Sequence, residues 1–260
     1  MHIAQYIKAQ DLASAWEMNQ KKGSVVLGGC CWLRLSQQRM YRQVIDIADL
    51  GLDTIEETDA AFRIGAMVTL RQVETSPALA QYTQGAFQEA VRHIVGTQFR
   101  NMATMGGSVC GRFGFSDILT LLLALQAEVE LYKKGRMPIA AFADVGAGQD
   151  ILTHIIIPKT ARRTAYASLR LNATDFPIIA CAVSCTDTTV YSAIGARPMR
   201  AQVQVVAKQD VQTRGLDETA QALADGLTYG TNTRGSAAYR HDMAAVLCRR
   251  LLKQTLEEEI

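Results

Sequence analysis

At 260 residues the chain can bury a sizeable core, enough for about two or three compact units. Its 27 Lys plus Arg nearly balance 25 Asp plus Glu, which excludes a long-range pull on nucleic acid or an anionic membrane and leaves any bound phosphate to be held locally. No apolar run reaches the ~18 to 20 residues of a bilayer span, and the opening residues lack the basic-then-apolar order of a signal peptide, so a cytoplasmic protein without membrane contacts is expected.

Asp11 is a good N-cap for a helix to about Lys22, with Leu12, Ala15 and Trp16 on one face. Ser24–Leu27 follows as a short strand that stops at Gly28-Gly29. A second strand over residues 44–47 closes a small first lobe, residues 1–52. The second lobe, residues 53–159, opens with a strand over 62–67. Phe87, Ala90, Val91 and Ile94 recur at helical spacing and predict a helix over 86–95, which ends at Gly96. Beyond Gly106-Gly107, Ser116 caps an almost wholly apolar helix to Leu125 with Asp117 in its first turn.

From Thr160 the pattern changes to strands over 165–169, 178–185, 190–194 and 203–207, then two helices. The last, over 236–254, puts Tyr239, Met243, Val246, Leu247 and Leu251 on one stripe. Strands before helices predict an α+β C-terminal domain, residues 160–260.

The six cysteines show no secreted-domain spacing and no CxxC pair, so reduced thiols and no metal site are expected. Cys181 and Cys185 fall in a strand, where four residues span about 13 Å, too far for a disulfide or a shared metal. The histidines, His2, His93, His154 and His241, are scattered, and no side chain stands out as a general acid or base.

Two Gly-Gly segments carry the chemistry: residues 25–32, Val-Val-Leu-Gly-Gly-Cys-Cys-Trp, and residues 103–111, Ala-Thr-Met-Gly-Gly-Ser-Val-Cys-Gly. Glycine permits φ > 0 and close backbone approach, so successive N–H groups can form a nest for phosphate. Either pair could equally be a plain tight turn. Neither fits GxGxxG in a βαβ unit or GxxxxGK[ST], which argues against Rossmann and P-loop sites.

The wider frame is more specific. Residues 96–108, Gly-Thr-Gln-Phe-Arg-Asn-Met-Ala-Thr-Met-Gly-Gly-Ser, are followed by Ser116-Asp117 and the apolar run 121–127. This order closely resembles the flavoprotein subunits of the molybdenum hydroxylases, the family of the carbon monoxide dehydrogenase medium subunit and the xanthine dehydrogenase FAD domain. Residues 151–158, Ile-Leu-Thr-His-Ile-Ile-Ile-Pro, and residues 234–240, Arg-Gly-Ser-Ala-Ala-Tyr-Arg, extend the likeness over nearly the whole chain.

The resemblance implies an α+β fold: a two-lobed FAD-binding domain of the molybdopterin dehydrogenase type plus a C-terminal sheet-and-helix domain. It implies FAD held by a first loop, Leu27, Gly28, Gly29, Cys30, Cys31 and Trp32, and by a second, Thr104, Met105, Gly106, Gly107 and Ser108. Asp117 would accept hydrogen bonds from the cofactor, or serve simply as a helix-start acid. Ile94 and Leu152 match positions that approach the flavin ring, though both also suit a core. The implied partners are a 2Fe-2S subunit that relays electrons and a molybdopterin-binding large subunit that oxidises the substrate, with NAD among the acceptors.

This chain departs from the family pattern at Met105, which stands for Ile, and in three further places. Cys30-Cys31 replaces polar loop residues, Ala167 or Ser168 stands where many relatives carry a Lys near the flavin, and residues 112–115, Arg-Phe-Gly-Phe, replace a small-and-Pro segment. A phenyl ring there suits core packing or stacking on the cofactor. The departures keep two rivals open: a stand-alone FAD-dependent reductase of related fold, and an assembly subunit that has lost FAD.

Overall fold

Parallel pairing opens the chain in the computed structural model, which describes residues 2–35 and 39–256; the expected outer bounds at 1 and 260 lie outside the described residues. Strands β1 (His2–Ile3), β2 (Tyr6–Lys8) and β3 (Ser24–Leu27) precede β4 (Met40–Tyr41) and β5 (Gln43–Asp46), and helix α1 (Leu12–Asn19) links β2 to β3. β5 lies between β2 and β3 in a parallel sheet, and β1 pairs with β4. Asp11 caps α1 with a full capping box: its carboxylate accepts from the Ser14 amide at 2.7 Å. The helix stops at Asn19, short of the expected Lys22, because Gly23 turns the chain at φ +85° into β3.

The middle of the chain forms an antiparallel sheet flanked by short helices. Its strands are β6 (Ile55–Glu57), β7 (Ala61–Gly65), β8 (Glu128–Leu131), β9 (Gly135–Pro138) and β10 (Leu152–Pro158), in the order β6-β7-β10-β8-β9. Between β7 and β8 come α2 (Leu70–Thr75), α3 (Pro77–Tyr82), α4 (Ala86–Arg92), α5 (Thr97–Arg100), α6 (Met105–Cys110) and α7 (Asp117–Ala124); α8 (Ile139–Val145) follows β9. α4 ends at Arg92 rather than residue 95, and Val95 enters the left-handed region at φ 52°. The expected strand over 62–67 ends at Gly65, where the backbone turns against the Leu52 carbonyl.

The C-terminal strands β11 (Arg163–Leu169), β12 (Ile179–Cys185), β13 (Thr189–Gly195) and β14 (Gln202–Ala207) form an antiparallel meander. Three helices follow, α9 (Lys208–Arg214), α10 (Leu216–Asp225) and α11 (Ala237–Leu256), one more than expected, because α9 continues directly from β14. Alternation along β12 explains the stacking. Ala180 and Ala182 face the core that contains α7, whereas Ile179, Cys181 and Val183 face α10 and α11. All eight residues of α7 are buried, as its unbroken apolar run requires.

On α11 the buried set is Arg240, Ala244, Leu247, Cys248, Leu251, Leu252 and Thr255. The expected stripe is therefore rotated: Leu247 and Leu251 are inside, but Tyr239 and Val246 are exposed. Buried Arg240 explains the rotation. Its guanidinium donates to the carbonyls of Ile178, Gly230 and Gly235 and to Asn232 Oδ1 at 2.7–3.1 Å, tying the α10–α11 connection to the sheet. Cys181 and Cys185 are buried and are not joined in a disulfide, and Cys181 hydrogen-bonds Cys248 on α11.

Candidate functional site

A cleft of about 410 Å³ runs between the N-terminal parallel sheet and the middle sheet. One wall is Asn19, Ser24, Val25, Val26, Gly28 and Ile47; the other includes Ala66, Thr104, Gly106, Gly107 and Leu152. Both Gly-Gly segments thus reach one cavity from opposite sides. Of the expected site residues, Gly28, Thr104, Gly106, Gly107 and Leu152 line it. Leu27, Gly29, Cys30, Cys31, Trp32, Met105 and Ser108 flank these on the same two segments, outside the lining.

The first segment follows the end of β3. A Cβ on Gly28 would lie 2.8 Å from Thr104 Oγ1, and one on Gly29 would run into the Met102 backbone carbonyl. Bare backbone is therefore needed where the loop crosses the middle lobe. The glycines at 28, 29, 106 and 107 do not have positive φ, contrary to the expectation; the left-handed residue of the loop is Cys30, at φ 57°. Among the described residues, none accepts a hydrogen bond from the amides of Gly28, Gly29, Cys30 or Cys31. Cys31 is buried, and that burial pushes its thiol up, so it stays protonated; Sγ lies 3.4 Å from the Gly29 carbonyl.

The second segment is not a turn but the first turn of α6, N-capped by Thr104. Thr104 Oγ1 accepts from the Gly107 amide at 3.2 Å, and Thr104 O accepts from the Ser108 amide at 3.0 Å and its hydroxyl at 2.9 Å. The amides of Met105 and Gly106 donate to Val68 O and Ala66 O, both at 2.8 Å. Gly106 must stay small because its Cβ would meet Ala66 at 2.8 Å, whereas beside Gly107 only Thr104 Oγ1 lies near, at 3.1 Å.

Asp117 sits inside the protein, away from the cleft lining. Its Oδ1 accepts from the Tyr166 hydroxyl and, at 2.5 Å, from Arg170 Nη2. Burial pushes the carboxyl up, opposed by the Arg170 charge and by these hydrogen bonds; burial also pushes the Tyr166 hydroxyl well up. The arrangement pins β11 to the start of α7. Ile94 is half-buried against the main core, and its carbonyl accepts from Arg100 Nη1 at 3.3 Å. Arg100 in turn grips Glu74 through two bonds of 2.9 and 3.0 Å.

Sequence reasoning missed Asn19, Ser24, Arg112, Gly146, Gly148 and Asp150, which also line the cleft. Gly146 and Gly148 have φ of 70° and 63°, and their spacing was the available signal. Asp150 is a loop anchor, because its carboxylate accepts from the amides of Lys133, Lys134 and Ile151. No group of His, Cys, Asp and Glu that could hold a metal occurs among the described residues, and no described helix is long and apolar enough to cross a membrane.

Residues 2–160 match the family described as the FAD binding domain in molybdopterin dehydrogenase, and residues 164–255 match the CO dehydrogenase flavoprotein C-terminal domain. The chain is 28% identical over 276 residues to the carbon monoxide dehydrogenase medium chain of Afipia carboxidovorans, covering 96% of this chain and 95% of the relative. It is 27% identical over 249 residues to the nicotine 6-hydroxylase medium subunit of Paenarthrobacter nicotinovorans, covering 88% of each. To the xanthine dehydrogenase FAD-binding subunit of Escherichia coli O157:H7 it is 26% identical, covering 99% of this chain and 96% of the relative. In fold it is similar to a chain of quinoline 2-oxidoreductase from Pseudomonas putida 86, with a TM-score of 0.84 at 16% identity over 98% of this chain and 97% of the other.

Proposed function

The chain belongs to the FAD-binding family of the molybdopterin dehydrogenases, and from that premise we propose that it is the electron-transfer subunit of a molybdopterin-dependent dehydrogenase of the xanthine dehydrogenase kind. It is an oxidoreductase subunit and binds FAD, as the family does. Electrons reach it from a 2Fe-2S partner and leave to NAD or another acceptor, while a molybdopterin-binding large subunit oxidises the substrate. The relatives are named for nicotine, carbon monoxide and xanthine. A subunit shared by such unlike substrates is not the one that selects among them.

The observation that carries this reading is the pair of Gly-Gly segments on one cleft, with amides on residues 28–31 that have no acceptor among the described residues. Those amides can hold one side of a pyrophosphate without Lys or Arg. Thr104 lines the other side and can turn its hydroxyl toward phosphate because the proton rotates freely. Leu152 closes the cleft floor with apolar contact. Bound flavin supplies the redox chemistry; the chain's residues hold and orient it. Exposed Met102 and Trp32 beside the first loop offer apolar surface for a docked partner.

Purified from its native source, the protein should carry stoichiometric flavin and bring down an iron–sulfur and a molybdopterin-binding subunit. Substrate-driven flavin reduction should require both. An isolated chain that oxidised an organic substrate at about 1 to 1000 per second would replace this reading with a stand-alone flavoenzyme.

A further inference from the structure

The two walls of the cleft are joined at both ends of β3, and the joints differ in kind. At the first loop, the backbone of Gly29 lies so close to the Met102 carbonyl that no Cβ fits, so the walls cannot part there without moving α5 and α6. At the start of β3, about 13 Å away along the strand, residues 146–150 reach across from the middle lobe to the end of α1. Asn19 Nδ2 and Gln20 Nε2 donate to the Gln149 carbonyl at 2.8 and 2.9 Å, and Gln149 Nε2 donates back to the Gln20 carbonyl at 2.9 Å. All three bonds are exposed. Exposed Lys133 adds a contact of the same reversible kind, 5.0 Å over the Trp16 ring of α1. Bonds of this sort exchange for bonds to water at little net cost.

The segment can move at its tip but not at its ends. Gly146 and Gly148 take left-handed φ of 70° and 63°, and Gly148 and Gln149 are exposed. On one side Arg112 donates to the carbonyls of Ala143 and Asp144 at 3.3 and 2.9 Å. On the other, the buried Asp150 carboxylate accepts from the amides of Lys133, Lys134 and Ile151. Gly146, Ala147, Gly148 and Asp150 line the cleft together with Asn19, so this joint closes the same cavity. We propose that residues 146–150 form a latched strap, opened by release of Gln149 from α1, and that FAD enters and leaves the cleft on this side. The proposal rests on the FAD reading above. A dinucleotide that lies between two joined walls needs one joint to part, and of these two the strap parts without unfolding.

The latch is tested in the full chain with Gln20→Ala/Gln149→Ala, which removes two of its three hydrogen bonds and no residue that lines the cleft. In flavin-free protein, cleavage within 146–150 by a protease of broad specificity should rise about five- to tenfold, with the global melting temperature unchanged. Because the strap is latched in the free and the bound protein alike, stopped-flow mixing with FAD should show association and dissociation both about five- to tenfold faster, with Kd within about threefold of the unmodified chain. Faster dissociation with unchanged association would make Gln149 a support of the bound state and overturn the latch, as would unchanged cleavage at the strap. A chain that binds no FAD at all would overturn the FAD reading and the passage proposed for it, while cleavage at the strap still reports on the latch.

Discussion

The two Gly-Gly segments present the same dipeptide to one cleft and solve different problems. Gly106-Gly107 is folded into the first turn of a capped helix, and each amide from Met105 to Ser108 already has an acceptor within the protein. Gly28-Gly29 is a bare crossing strand-end whose following amides have none among the described residues. The contrast separates rigidity from binding capacity. One segment is a finished structural element with its amides paired, and the other leaves its amides without acceptors among the described residues.

Gly29 gives the sharpest test, because any side chain there collides with the Met102 backbone, which cannot move without α5 and α6. Gly29→Ala should destabilise the protein by about 3 kcal/mol and abolish flavin retention, as read by thermal denaturation and flavin content. A native melting curve for this variant would mean that the first loop is not held against the middle lobe.

The second segment is anchored upstream by buried Arg100, which joins Glu74 to the carbonyls of Ile94 and Val95. Arg100→Met should cost about 3 kcal/mol, since it removes both Arg100 bonds from a largely buried carboxylate and leaves it only the more exposed Arg71. Burial pushes the Glu74 carboxyl up, but bonds from Arg100 and Arg71 outweigh that and leave it below its usual range. A folded-state pKa below the unfolded one means that the contribution is present above about pH 4.3 and is lost on acidification through the folded value. Denaturant titrations across that range should show a smaller pH dependence in the variant; an unchanged slope would remove Glu74 from the anchor.

Gly107 separates fold from binding. Its added Cβ meets only Thr104 Oγ1, and alanine favours a helix by about 1 kcal/mol over glycine. Gly107→Ala should therefore melt within about 1 kcal/mol of the wild type, while FAD affinity falls as the methyl enters the cleft. Gly107→Val should lose FAD altogether with its circular dichroism intact, through filled space rather than through φ. Full flavin occupancy in the valine variant would move the phosphate away from α6.

The smallest effects belong to the thiols. If the first loop binds through its backbone, Cys30→Ser and Cys31→Ser should each change FAD affinity by less than about tenfold. Cys30→Gly relieves a left-handed φ and should stabilise by up to about 1 kcal/mol. A thousandfold loss in either serine variant would make the sulfur itself a ligand.

Local signals determined much of this by themselves. Asp11 and Ser116 mark helix starts through side-chain acceptors that need nothing beyond the next turn. The apolar run after Ser116 specifies a buried helix because no face of it can meet water, and the order of motifs from Gly96 to Leu125 carries the family and hence FAD. The short strands β2, β8 and β9 have no such signature, since their pairing energy comes from distant neighbours. Nor do the partners of Arg100, Arg170 and Arg240, which lie 26, 53 and 62 residues away at Glu74, Asp117 and Ile178. Only the tertiary structure decided that one Gly-Gly pair is helical and the other a crossing. Glycine allows both, and the choice is made by Ala66, Val68 and Met102 pressing on the backbone from elsewhere in the chain. An aromatic cluster has the same origin: Trp32, Phe113 and Phe176 are ordinary residues of three separate connections until packing of the lobes sets their rings together.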